Sequence, residues 1–124
     1  MRHARVFRAG HDAPGEISGA DVVVVAASAA DDWGARIRVR APNAVVVVVD
    51  GSPQPICEAT LFPRARVIGV EDADAEAVVA AVVNDLDKEF DAVVRCEGER
   101  GVEGEFARVP VRVGASGIRE IVET

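Results

Sequence analysis

Two stretches, Asp21-Val-Val-Val-Val-Ala-Ala27 and Ala44-Val-Val-Val-Val-Val-Asp50, enclose unbroken apolar runs. A strand with one wet face alternates apolar and polar side chains. A β-branched run without that alternation needs cover on both faces, which is the condition inside a parallel sheet flanked by helices. The shorter Arg66-Val-Ile-Gly-Val70 reads the same way. Turn residues bound the runs: Ser18-Gly19 before the first, Pro42-Asn43 before the second, Gly51-Ser52-Pro53 after it. Parallel neighbours require a crossover of a dozen or so residues, and the segment between the first two runs has room for a short helix.

That crossover carries two conflicting patterns. Ser28 to Ile37 opens like a helix, with Asp31 or Ser28 as N-cap and Trp33 and Ile37 on one face. Arg36-Ile-Arg-Val-Arg40 alternates like a half-exposed strand. Connectivity decides for helix. A second helix starts at Asp72 or Asp74 as cap, and Val78, Val79, Val82, Val83, Leu86 and Phe90 give it one apolar face. No strand is expected ahead of Gly10. Asp91–Cys96 and Phe106–Val113 predict strands joined by a glycine-rich loop, Gly98 to Gly104. Val109, Val111 and Val113 alternate with Pro110 and Arg112, the pattern of an edge strand. Ile118, Ile121 and Val122 end the chain on one apolar side. The expected architecture is a single α/β domain over residues 1–124: a truncated Rossmann-like parallel sheet flanked by helices, with a C-terminal antiparallel strand pair.

Charge narrows the partners. Fourteen Lys and Arg against 21 Asp and Glu give a formal net charge of −7. Such a surface repels nucleic-acid phosphates and anionic membranes unless the arginines segregate to one face. Lys88 is the only lysine, a bias expected of a protein hydrated in high salt and equally of GC-rich codon usage. No apolar run approaches the ~20 residues of a membrane span. No apolar segment follows Met1-Arg-His-Ala-Arg5, so no secretory signal is expected. Two cysteines, Cys57 and Cys96, suit a reducing cytoplasm.

Three stretches carry a resemblance. Ser18–Ala27 is similar to a strand that precedes a substrate-covering loop. Phe62-Pro-Arg-Ala-Arg-Val-Ile-Gly69 is similar to a "P-x-x-R-V-I-G" strand, and Leu86–Val94 to the helix-to-strand passage beyond it. The most specific part is Glu97-Gly-Glu-Arg-Gly101 with Val109-Pro-Val-Arg-Val-Gly-Ala-Ser-Gly-Ile-Arg-Glu-Ile-Val-Glu123. Together, in this order, they resemble the lactate/malate dehydrogenase family, particularly the malate dehydrogenases of salt-loving archaea. The resemblance implies a Rossmann-type fold, NAD as cofactor and hydride transfer to a small 2-oxo acid.

The departures from the family are as informative. Its G-x-G-x-x-G fingerprint lets backbone amides reach a pyrophosphate at a helix N-terminus, and Gly10, Gly15 and Gly19 have the wrong spacing. Met1–Ala26 resembles a later strand–loop–strand segment of the family, so the fingerprint unit is expected to be missing. Its proton-accepting His sits in G-x-H-G-D, a context neither His3 nor His11 has. Aligned on Val67-Ile68-Gly69, the orienting Asp and substrate-clamping Arg fall on Ala75 and Val78. The family's Asn maps near Ser52, and its substrate loop shrinks to Ala29–Gly34.

No catalytic residues are therefore assigned. Ser28, Asp50 and Ser52, just past the C-terminal ends of parallel strands, are the candidate cofactor- or ligand-binding residues, because open α/β sheets bind ligands there. His3, His11, Cys57 and Cys96 lack zinc-ligand spacing. Glu71, Asp72, Asp74 and Glu76 read as a charge-complementary helix start before a cation site, and Trp33 as packing. The expected function is a dehydrogenase-like binding or assembly module without a cofactor, partnered by a second copy or a related subunit and open to a small-molecule ligand. The alternative is an NAD-dependent malate or lactate dehydrogenase that completes its site with another chain.

Overall fold

The computed structural model describes residues 4–122. Its valine runs form the middle of a seven-stranded sheet. Strands β1 (Val6–Arg8), β2 (Val22–Ala26), β3 (Val45–Val49) and β4 (Val67–Val70) are parallel neighbours in that order. Strands β5 (Lys88–Glu97), β6 (Glu103–Gly114) and β7 (Gly117–Ile121) extend the sheet antiparallel, again in chain order. Helix α1 (Ala30–Arg40) joins β2 to β3, α2 (Gln54–Thr60) joins β3 to β4, and α3 (Asp72–Val83) follows β4.

The absence of alternation in β3 now has its cause. Val45 and Val47 face one core and Val46 and Val48 the other, and all four are buried. On the first face α3 packs through Val78, Val79 and Val82 over Val22, Val47 and Ile68, in a core shared with Val94, Val109 and Val111 of the antiparallel strands. On the second face Trp33 and Ile37 of α1 and Ile56 of α2 share a core with Val23, Val25, Val46 and Val48. The Phe7 ring lies 5.3 Å from that of Trp33, tilted against it. Each fully buried valine contributes about 1.5–3 kcal/mol, so the two strands outweigh local preferences in the segments between them.

The crossover conflict resolves as helix. Arg36–Arg40 ends α1 with Ile37 buried and Val39 72% exposed. Neither Ser28 nor Asp31 caps it: Ser28 lies in a 3-10 turn, Ala29 occupies the N-cap, and Asp31 and Asp32 sit in the first turn. In α3 the cap position is Glu71, and Asp72 and Asp74 lie in the first turn. That helix stops at Val83, short of Leu86 and Phe90. Asp85 takes φ 51°, and the N–H groups of Asp85 and Leu86 return to the carbonyls of Val82 (3.4 Å) and Ala81 (3.0 Å), the Schellman ending. Leu86 is left exposed and Phe90 falls in β5.

Two short elements were not expected, β1 ahead of Gly10 and α2. The antiparallel pair is in fact three strands, and β6 is no edge, since β5 and β7 flank it. Pro110 fits because a strand residue's N–H and C=O point the same way. Its carbonyl accepts the Val122 N–H at 2.9 Å, so the missing donor lies where pairing with β7 has ended.

Gly34 of α1 meets α2 at van der Waals distance: a β-carbon there would lie 2.5 Å from the Ala59 β-carbon. In an open helix Gly→Ala stabilises by about 1 kcal/mol. Here Gly34→Ala is expected to destabilise by about 1–3 kcal/mol, with recovery on adding Ala59→Gly. Urea denaturation checks it, and a stabilising Gly34→Ala would contradict the packing described.

Candidate functional site

The loops after β2 and β3 bring Ser28, Asp50 and Ser52 to one end of the sheet. Asp50 turns the chain in the left-handed region, φ 59°, with its N–H donating to the Val70 carbonyl at 2.9 Å. Its Oδ1 accepts the Asp72 N–H at 2.9 Å, so it serves the start of α3 from across the sheet. Ser52 Oγ accepts the Gln54 N–H at 3.1 Å and opens α2. Ser28 is exposed in its 3-10 turn. Between them the chain itself fills the space: a β-carbon at Gly51 would lie 2.4 Å from that of Ala27. Two of the three candidates therefore each commit a side-chain oxygen to a helix start.

The open space lies on the α3 side instead. A cleft of about 340 Å³ runs across the ends of β1, β2 and β3, floored by Val24, Ala26 and Val49 and walled by Arg8, Ala75 and Glu76, with His11 on its edge. The Arg8 guanidinium reaches Glu76 Oε1 at 2.5 Å. Both side chains are substantially exposed, so this bridge contributes little to stability. Sequence reasoning placed Glu76 in an acidic helix start but missed Arg8 and the pairing of the two, because β1 is not anticipated there; the sole signal is the apolar pair Val6-Phe7.

Dinucleotide binding in open α/β sheets uses the crevice where strand order reverses, with the pyrophosphate at a helix N-terminus. Among the described residues the parallel strands run β1–β2–β3–β4 without reversal. Ile17 in the first connection, α1 and α2 all pack into the same core. After β1 the chain folds back, with Asp12 Oδ2 accepting the Arg8 N–H at 2.7 Å, into a 3-10 turn that begins at Pro14. No α-helix starts there. The helix start beside the cleft, that of α3, carries Glu71, Asp72, Asp74 and Glu76, which repel phosphate. Ala75 and Val78, aligned with the family's Asp and Arg, are buried in the core. These residues do not fit NAD.

A larger concavity, about 540 Å³, lies between α2, the following loop and the β5–β6 hairpin. Cys57 lines it, and burial pushes its thiol up to about 11, so the sulfur is protonated and poorly nucleophilic at neutral pH. Arg64 grips both carboxylate oxygens of Glu99, at 2.8 and 2.9 Å, and also donates to the Arg95 carbonyl. Arg64, and then the Glu97 N–H, hold the Glu99 carboxyl down to about 2. Cys96 is buried elsewhere in the sheet and Trp33 is packed in the core. His3 lies outside the described residues, and among those described no group of three His, Cys, Asp or Glu side chains is placed to hold a metal ion.

Two expectations follow. Asp50→Ala is expected to lose about 0.5–2 kcal/mol, as for a lost helix cap, whereas Asp50→Asn keeps the acceptor and the left-handed turn; equal urea midpoints for the two variants would contradict the bridge to α3. Glu99 titrates lower folded than unfolded, so its contribution is complete above the ordinary glutamate value of ~4.3 and disappears as pH falls toward 2. Glu99→Gln is therefore expected to flatten stability through that window, and parallel acid limbs for the two proteins would refute it.

No protein-family model matches the sequence, and no curated protein matches it significantly. Solved structures do. The malate dehydrogenase from Aeropyrum pernix superposes with a TM-score of 0.79 at 16% identity, over 91% of this chain and 70% of that one. The lactate dehydrogenase from Eimeria maxima, solved with NADH and oxamate, gives 0.79 at 12% identity over 91% and 69%. The malate dehydrogenase from Cryptosporidium parvum gives 0.81 at 12% identity over 92% and 72%. At these identities the likeness speaks for architecture: the chain has the fold of the lactate and malate dehydrogenases.

Proposed function

We propose that this protein is a malate/lactate-dehydrogenase-like module without dehydrogenase activity, acting through binding or assembly. The observation that carries the reading is the unreversed order of the parallel strands, with every connection between them on one face. A dinucleotide crevice needs two halves that diverge. In this chain the strand beside β2 is β1, three residues long and followed by a turn. The end of the sheet that would face a nicotinamide is acidic and partly filled by its own loops.

The cleft beside Arg8 and Glu76 is the surface such a module offers. Its floor is apolar, and one ion pair crosses its rim. A small ligand, a second copy or a related subunit that inserts an apolar group there would displace the bridge at little cost, since the bridge is solvated.

The competing reading is an NAD-dependent malate or lactate dehydrogenase whose site is completed by another chain. The fold likeness favours it, because one of the similar structures holds NADH and oxamate. NADH fluorescence separates the two. The proposed module leaves the nicotinamide emission of millimolar NADH unchanged and does not oxidise NADH with oxaloacetate or pyruvate. Saturable enhancement with turnover would overturn it.

A further inference from the structure

The arginines of this acidic protein differ in what they meet, and Arg5 and Arg66 donate to backbone carbonyls. Arg8, Arg64, Arg108, Arg112 and Arg119 each meet a carboxylate. Arg36 and Arg40 meet none among the described residues, yet they line one groove of about 440 Å³ with Pro14, Gly15, Ile17 and Ser18. No acidic side chain lines that groove. The acids of α1, Asp31 and Asp32, lie in its first turn, about 12 Å or more from Arg40 at 1.5 Å per residue; Asp32 stands one turn before Arg36 but makes no ion pair with it.

Both walls are held in place. Arg36 lies over the Trp33 ring, 5.0 Å from its centroid, which orients the planar guanidinium. Opposite, Arg5 donates to the carbonyls of Ser18 (2.7 Å) and Glu16 (2.8 Å), fixing the loop. The Gly19 N–H donates to the Arg40 carbonyl at 2.9 Å, joining loop to helix. A helix end that merely balances its dipole needs neither a concave partner nor a fixed guanidinium. Two guanidiniums one turn apart match a tetrahedral dianion, and a fixed geometry lowers the ordering cost of binding it.

We propose that this groove binds the phosphate of a small phosphate monoester, with Arg36 and Arg40 as the cationic donors and the Ser18 hydroxyl as a third. The groove lies apart from the cleft beside Arg8, and the proposal is independent of whether that cleft takes a nicotinamide. Its volume is within the range of small-molecule sites and leaves room for the esterified group.

Trp33 is the only tryptophan, so its emission reports the groove directly. Inorganic phosphate and a hexose phosphate, titrated at constant low ionic strength against chloride, are expected to change that emission saturably. Arg40→Gln, which leaves the Arg36–Trp33 contact intact, is expected to weaken both about tenfold, ~1.4 kcal/mol, with an unchanged melting temperature. Arg38→Gln, on the far side of the helix, leaves both intact. Tighter binding of the hexose phosphate identifies the ester as the ligand. A hexose phosphate no tighter than inorganic phosphate, equal titrations for the parent protein and Arg40→Gln, or a response that chloride reproduces would overturn the proposal.

Discussion

Burial of β3 on both faces is the constraint on which the rest depends. Five valines in succession leave no polar face, so a layer must form on each side: α1 and α2 on one, and on the other α3, whose core continues into the antiparallel strands. Removing either layer would expose a row of β-branched side chains worth several kcal/mol. The strand also sets the polarity of the molecule, because it and its parallel neighbours direct the loops that follow β1 to β4 to the same end.

That end is acidic. Asp31, Asp32, Asp50, Asp72 and Asp74 gather at helix starts, where the positive ends of the helices favour them. Arg36, Arg38 and Arg40 occupy the last turns of α1, nearer the starts of the strands. A net charge of −7 therefore conceals a separation of sign. The same helix-dipole logic that stabilises the fold makes the loop end repel phosphate and gathers guanidiniums at the other end of α1.

How much of this was legible follows from the physics of each element. The valine runs read correctly because double-sided burial leaves an unambiguous pattern. Helix α1 was reached through connectivity, since Arg36-Ile-Arg-Val-Arg40 fits period two as well as it fits a helix with Ile37 inside. Strand β1 has three residues and one fully buried side chain, Phe7, too little for periodicity. Helix α2 is short and lies among Pro53 and Pro55, residues that read as turn. The end of α3 was overrun because the apolar Leu86 continued the pattern, while the turn was set by Asp85 in a left-handed conformation, bound to the Ala115 N–H and to Arg119. At the candidate site, the positions of Asp50 and Ser52 were legible from strand ends. Their hydrogen bonds to α3 and α2 were not, since these depend on how the loops settle.

The central claim is that a dehydrogenase scaffold stands here without a place for a dinucleotide. Backbone amide chemical shifts followed during titration with NADH test it most directly, because they report each segment of the strand ends separately. The account predicts no saturable shift at residues 26–28, 50–52 and 72–76. Saturable, co-titrating shifts at those three segments would contradict it.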